Sequence, residues 1–240
     1  GPMLQAIPMI RSNAPNNRRY AEKALNEIIG ETFKRSSKAT ATTLSHMIFL
    51  SNGYVYEGTP LADEAQFSPA FSAIVSDMDG DGHEDLFLSQ NFFAYQIETS
   101  RSDAGRGLWL RGDGTGTMTP VPGQESGVKV YGEQRGAAVA DFDNDGRVDL
   151  VVSQNGAPTK LYRNTTASPG HRMKAVSAGS RVRVRYSDGS YGPVREVQIG
   201  GGYWSQNGGN ILGFQRRAEA IEVSSLDGTI KDQLIFGENQ

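Results

Sequence analysis

Two stretches of the chain carry carboxylates at spacings suited to holding a hard cation. Residues 77–91 read DMDGDGHEDLFLSQN and residues 141–155 read DFDNDGRVDLVVSQN. Each follows D-x-D-x-D-G-x-x-D, with Asp77, Asp79, Asp81 and Asp85 in the first and Asp141, Asp143, Asp145 and Asp149 in the second. Calcium takes about six to eight oxygen ligands at roughly 2.3–2.6 Å, and carboxylates at alternate positions of a tight loop can converge on one point. Gly82 and Gly146 permit the reversal, and the backbone carbonyls of His83 and Arg147 are expected to add a further oxygen to each loop. Without a cation, carboxylates this close repel one another. Magnesium fits less well, because it favours a few carboxylates plus water in strict octahedral geometry. A catalytic metal would need an open coordination position beside a general base. The expected role is therefore a pair of structural calcium clips.

An EF-hand is excluded. That motif needs a carboxylate at loop position 12 and helices on both sides. Here the position is Leu88 or Val152, inside the β-type runs Leu86-Phe87-Leu88 and Leu150-Val151-Val152. The loops must connect strands. Each is led by a small apolar run, Ser72-Ala73-Ile74-Val75-Ser76 or Gly136-Ala137-Ala138-Val139-Ala140, and ends on Ser-Gln-Asn, which makes a repeat with a 64-residue offset between Asp77 and Asp141. Before the repeats, the spacing of Ala21, Leu25, Ile28 and Phe33 predicts a helix over 18–35. Ser51-Asn52-Gly53 between Met47–Leu50 and Tyr54–Tyr56 predicts a hairpin. Gly112-Asp113-Gly114-Thr115-Gly116 superficially resembles a phosphate loop, but it joins β-type stretches and reads as a hairpin turn.

The two aspartate stretches resemble FG-GAP/VCBS repeats, the calcium-loop blades of integrin-α-type β-propellers. All four aspartates and the glycine match in both copies, so the resemblance implies the metal ligands directly. Leu161-Tyr162-Arg163-Asn164 is similar to the L-Y-R-N that closes a VCBS blade. A second resemblance covers 180–235 and is to the ASPIC/UnbV domain. Its marks here are Gly179-Ser180-Arg181-Val182, Arg195-Glu196-Val197, Gly200-Gly201-Gly202-Tyr203 with Ser205-Gln206, and Ile221-Glu222-Val223 with Asp227-Gly228. Leu212-Gly213-Phe214 departs from the family's His-Phe-Gly-Leu-Gly-like segment. The pairing resembles bacterial relatives of cartilage acidic protein, which are generally exported and much longer; Ala65-Gln66-Phe67-Ser68-Pro69 is similar to the end of the larger members. A propeller needs about 4–8 blades to protect its edges. Two or three repeats imply a fragment of a longer chain, closure through homo-oligomerisation, or an open array whose edges something must cover, the 18–35 helix being one candidate.

Composition agrees with an all-β reading and excludes several classes. Twenty-nine glycines in 240 residues point to many tight turns, and the absence of cysteine removes disulfides, thiol nucleophiles and cysteine zinc sites. Residues 1–159 carry net −7 and residues 160–240 net +4, an asymmetry that suggests two modules. No dense basic cluster argues for nucleic acid, and no apolar run is long enough to span a membrane. Neither a G-x-S-x-G elbow nor a P-loop occurs. His46, His83 and His171 lack metal spacing. Arg181, Arg183 and Arg185 alternate with Val182, Val184 and Tyr186, which predicts a half-buried strand with a solvated or anion-binding arginine face. Asn164-Thr165-Thr166 is a formal glycosylation sequon, without meaning in a bacterial source.

The segment 91–107 is long for a strand connection and offers Tyr95, Arg101, Asp103 and Arg106 as candidate ligand-binding residues, with Phe92 and Phe93 beside them. Tyr203 and Trp204, after the triple glycine, could stack on a sugar, while the glycines themselves read as a close approach of backbones. Gly1-Pro2-Met3 reads as the remnant of a cleaved expression tag. The expectation is a mainly β protein of propeller-type blades, partial or completed by oligomerisation, with an N-terminal helix and a small C-terminal β-rich module. The divisions are an irregular lead at 1–16, helix and blades at 17–165, and the ASPIC/UnbV-like module at 166–240. The expected function is an extracellular or periplasmic calcium-binding module, with two Ca2+ sites, that engages a protein or glycan. The alternative is an accessory piece of a larger propeller enzyme acting on polysaccharide or in biosynthesis.

Overall fold

The structure, a computed structural model, describes residues 7–97, 99–173, 176–208, 211–213 and 217–234. Gly1-Pro2-Met3 and Phe214 lie outside the described residues. The chain divides into two compact units, Gly1–Leu44 and Ser45–Gln240.

In the first unit the expected single helix over 18–35 is broken into pieces. Helices α1 (Ile10–Asn13), α2 (Asn17–Glu22) and α3 (Leu25–Ile29) are followed by a 3-10 turn at Gly30–Arg35. Asn16 starts α2 by accepting from Arg19 N at 2.9 Å, which satisfies one of the unpaired N–H groups of the first turn. Lys23 and Ala24 are extended (ψ 145 and 159), and Glu27 accepts from Ala24 N to begin α3 afresh. Asn13 Nδ2 donates to Ile28 O at 3.0 Å, and Lys23 Nζ donates to Asn13 O at 2.6 Å, so tertiary hydrogen bonds outweigh continuation of the helix. Ile28 is buried while Leu25 and Phe33 are exposed, so the apolar spacing does not form one buried stripe.

The second unit is strand-built. A hairpin of β1 (Met47–Ser51) and β2 (Tyr56–Pro60) pairs Ser51 with Tyr56. Asn52 Oδ1 accepts from Tyr54 N and Val55 N, which makes the turn one of four residues, 52–55. A short helix, α4 (Asp63–Gln66), leads into the first blade: β3 (Ala70–Ser76), β4 (Asp85–Gln90), β5 (Leu108–Gly112) and β6 (Met118–Val121), antiparallel neighbours in that order. After α5 (Gly123–Ser126) the second blade has β7 (Glu133–Ala140), β8 (Asp149–Asn155) and β9 (Ala157–Tyr162). The expected hairpin turn at residues 113–117 joins β5 to β6.

The C-terminal part pairs β10 (His171–Arg172) with β13 (Ile211–Leu212). It also builds a second sheet in the order β12-β11-β14-β15, from β11 (Arg181–Tyr186), β12 (Arg195–Glu196), β14 (Ala218–Ser224) and β15 (Ile230–Leu234). With 36% strand against 13% helix the architecture is mainly β. Among the described residues no helix is long and apolar enough to cross a membrane.

Register fixes the aspartate loops. Ser76 faces Asp85 across β3–β4, and Ala140 faces Asp149 across β7–β8, so both loops leave and re-enter a sheet at equivalent points. The blades pack on each other through Ile74 and Phe87 from one and Ala137, Val139, Leu150 and Val152 from the other. The opposite face of the first blade packs Leu86, Leu88 and Leu110 under Leu61 and Ala65. A separate core of Met173, Val182, Val184, Tyr186, Leu212, Ile221 and Val223 holds the C-terminal sheet. Two of the three β11 arginines are paired across strands: Arg183 Nε to Glu222 at 2.7 Å and Arg185 Nη1 to Asp232 at 2.6 Å, with Arg183 over the Tyr191 ring.

The free edges of β3 and β7 are taken by residues 201–208. Gly201 O accepts from Ala73 N at 2.9 Å and from Ser72 Oγ at 2.7 Å. Gly208 N donates to Val139 O at 2.8 Å, and Asn207 Oδ1 accepts from Val139 N at 3.2 Å. A Cβ on Gly201 would lie 2.1 Å from Ile74 Cδ1 and 2.7 Å from Ala73 O, so the strap can reach the sheet only as glycine. These inner edges are thus covered from within the chain.

Candidate functional site

The two aspartate loops repeat one hydrogen-bond plan. The first-position carboxylate is the hub. Asp77 accepts from Gly80 N and Asp81 N on Oδ1 (2.8 and 3.1 Å) and from Gly82 N on Oδ2 (3.0 Å). Asp141 accepts from Asp145 N on Oδ1 and Gly146 N on Oδ2, both at 3.0 Å. Third-position Asp79 and Asp143 accept from Asp81 N and Asp145 N. Fifth-position Asp81 and Asp145 accept from His83 N and Arg147 N at 2.7 and 2.9 Å. Gly82 and Gly146 turn the chain at φ +91 and +83, backbone that side chains with a Cβ rarely adopt.

The ninth-position carboxylates tie each loop to its own sheet. Asp85 accepts from Met78 N and Gly112 N, both at 2.9 Å; Asp149 accepts from Phe142 N at 3.1 Å and Asn164 N at 2.7 Å. Asn164 also joins the two loops, donating from Nδ2 to Met78 O and Val148 O. That side-chain nitrogen is therefore committed to the fold, against the formal sequon.

Carboxylate oxygens converge in both loops. Asp77, Asp79 and Asp81 bring one oxygen each within 4.8 Å of one another, and so do Asp141, Asp143 and Asp149. Every donor is a hard oxygen, which suits a hard divalent cation and no thiophilic one. The clusters could hold metal ions. Burial pushes the Asp77 carboxyl up, against the pull of Arg195 and the Gly82 N–H. Burial also raises Asp85 to about 6, only partly offset by the Gly112 and Met78 N–H groups. At Asp145 the cost of losing water is outweighed by the Arg147 N–H and the Arg147 and Arg163 guanidiniums, which hold the carboxyl below the usual carboxylate range.

Four arginines absent from the expected ligand set stand on these loops. Arg111 Nε donates to Asp79 Oδ2 at 2.8 Å. Arg163 meets Asp143 and Asp145, and Arg172 Nη2 donates to Asp141 Oδ2. Arg195 Nη2 donates to Gly82 O, 4.0 Å from Asp77 Oδ2. The C-terminal chain also lies close by: Gly170 N donates to Gly146 O at 2.8 Å, and Arg147 Nε donates to Ala167 O at 2.7 Å.

The candidate ligand-binding residues fall into two groups. Tyr95 and Tyr203 belong to one aromatic array: Tyr203 stands edge-on to Phe71 at 6.0 Å, Phe71 tilts against Phe92 at 5.9 Å, and Phe92 meets Tyr95 at 4.8 Å. The Arg135 guanidinium, missed in the sequence, lies 4.2 Å from the Phe71 ring and 5.8 Å from that of Tyr203. It pairs with Glu133 at 2.7 Å. Glu133, despite desolvation, is lowered to about 2 by the Phe93 N–H, Asn155 and Arg135. Arg101 and Arg106 instead sit over Phe93 and Tyr131, and Asp103 is exposed. Trp204 is fully exposed and, like Tyr203, has positive φ (+63 and +46), a strained conformation for bulky residues.

No curated protein matches the chain. Residues 77–152, from the first aspartate of the first loop to the second blade's central strand, match the FG-GAP-like repeat family, and this part of the chain is similar to such a β-repeat.

Proposed function

We propose that the chain is a calcium-binding β-repeat module in which one Ca2+ clips each aspartate loop to its blade. Asp77, Asp79, Asp81 and Asp85, with the His83 carbonyl, serve the first ion; Asp141, Asp143, Asp145 and Asp149, with the Arg147 carbonyl, serve the second. The observation that carries this reading is the convergence of hard carboxylate oxygens in both loops. A bound dication supplies positive charge where carboxylates crowd, and so tightens the turns that join strands. We further read residues 166–240 as an ASPIC/UnbV-like module and the protein as extracellular, periplasmic or held at the cell surface. A protein or glycan partner would be met by the aromatic and arginine side chains of 91–107 and by Tyr203 and Trp204. The test is thermal unfolding of chelator-treated protein against calcium and, in parallel, magnesium. Calcium should raise the unfolding temperature by several degrees, with magnesium weaker at equal concentration. No shift with millimolar calcium sinks the reading.

A further inference from the structure

The loops share four aspartates but not the same guanidinium load. In the first, fifth-position Asp81 belongs to the convergent set; Arg111 is paired with one member, Asp79, while Arg195 stands 4.0 Å from another, Asp77, with its Nη2 donating to Gly82 O. In the second, Asp145 is bound to Arg147 Nη1 at 2.9 Å and Arg163 Nη2 at 3.3 Å, and Asp149 takes its place in the set. Arg163 also holds Asp143, and Arg172 holds Asp141. Two of the three convergent carboxylates of the second loop therefore have a guanidinium at hydrogen-bond distance, against one of the three in the first.

Arg172 differs from Arg147 and Arg163 in its origin. It belongs to β10, whose partner strand β13 contributes Leu212 to the C-terminal core. Its side chain is half exposed (51%), whereas that of Asp141 is 3% exposed, so the arginine can leave without opening a core. A dication coordinated by Asp141 and a guanidinium on the same carboxylate are like charges a few ångströms apart, and they repel. Each weakens the other by the same factor.

We propose that the second loop is the weaker of two unequal cation sites and that Arg172 sets its affinity, cation entry and the Arg172–Asp141 contact being mutually opposed. This rests on the cation reading of the loops. Filling of the second site then loosens the β10 end of the C-terminal module, so the module reports on cation level.

Calorimetric titration of the chelator-treated full chain with calcium chloride tests this. The native protein should show two unequal steps, of which Asp143→Asn removes the weaker and Asp79→Asn the tighter. Arg172→Gln should tighten the weaker step about three- to tenfold, the modest size reflecting solvent screening at a half-exposed pair, and leave the tighter step unchanged. Arg172→Lys, which keeps the charge, should stay near the native value. Amide exchange at Arg172 and Leu212 should quicken when calcium fills the native protein and not in Arg172→Gln. Two equal steps, or a weaker step unchanged or weakened by Arg172→Gln, overturn the proposal while leaving the cation reading intact. No saturable binding by any of the proteins overturns both.

Discussion

Replacing Gly201 by alanine should unseat the strap that covers the inner edges of both blades. The new Cβ would lie 2.1 Å from Ile74 Cδ1 and 2.7 Å from Ala73 O. Ile74 is fully buried in the interblade core, and Ala73 O belongs to strand backbone, so neither can give way cheaply. Forcing a methyl into a packed site costs about 1–3 kcal/mol. Moving the strap away instead gives up the bonds that Gly201 O accepts from Ala73 N and Ser72 Oγ, each worth about 1 kcal/mol. A loss of about 3 kcal/mol is expected, a sizeable part of the ~5–15 kcal/mol of a typical domain. In a chain of this size it should lower the unfolding temperature by about 6–12 °C. Gly53→Ala is the control, because Gly53 has φ +91 but nothing within 4 Å. It should cost only about 1 kcal/mol, from backbone strain. Urea denaturation gives the difference, and amide exchange at Ala73 and Val139 locates it. Equal losses for the two variants, with unchanged exchange at Ala73, would refute the reasoning.

Other outcomes follow from the charges and from the strained turn. Asp85 has a folded pKa of about 6 against an ordinary 3.8, so the folded chain holds this proton more tightly than the unfolded one. In chelated protein the contribution of Asp85 therefore makes stability fall as pH rises from about 4 to 6 and then level off, and Asp85→Asn should flatten that slope in a pH series of thermal melts. Glu133 behaves oppositely: its pKa is lowered to about 2 from 4.5, so its stabilisation is present above 4.5 and is lost as pH falls towards 2. Glu133→Gln should cost about 2–4 kcal/mol at pH 7 in urea denaturation, because Arg135 is left buried without its countercharge. Trp204→Gly should raise stability by about 1 kcal/mol, since glycine relieves the left-handed backbone and no packing is lost. A fall in the melting temperature of that variant would mean that the indole is packed.

Much of the blade pair was legible, for a physical reason. Alternation and the Asp/Gly loops are local, and they fixed the strands, the equivalent loop positions and the hairpins without help from distant residues. The triple glycine was readable as a close approach of backbones, but its target, the edge of β3, lies 129 residues away at the Ser72–Gly201 bond. Distance in sequence also hid the arginines: Arg195 reaches Gly82 across 113 residues and Arg172 reaches Asp141 across 31. The break in the 18–35 segment carries no proline and no glycine at Lys23 or Ala24; it arises from the bonds of Asn13 to Ile28 and Lys23, which periodicity cannot anticipate. The aromatic array around Arg135 was half visible. Tyr95 and Tyr203 stood out by type, but the cation between their neighbours belongs to β7.

The central claim is that both aspartate loops hold calcium, and equilibrium dialysis with radioactive calcium counts the ions directly. Saturation should approach two per chain, falling to one in Asp79→Asn or Asp143→Asn and to background in the double variant. Background binding by the native chain, or binding indifferent to both substitutions, would contradict the account.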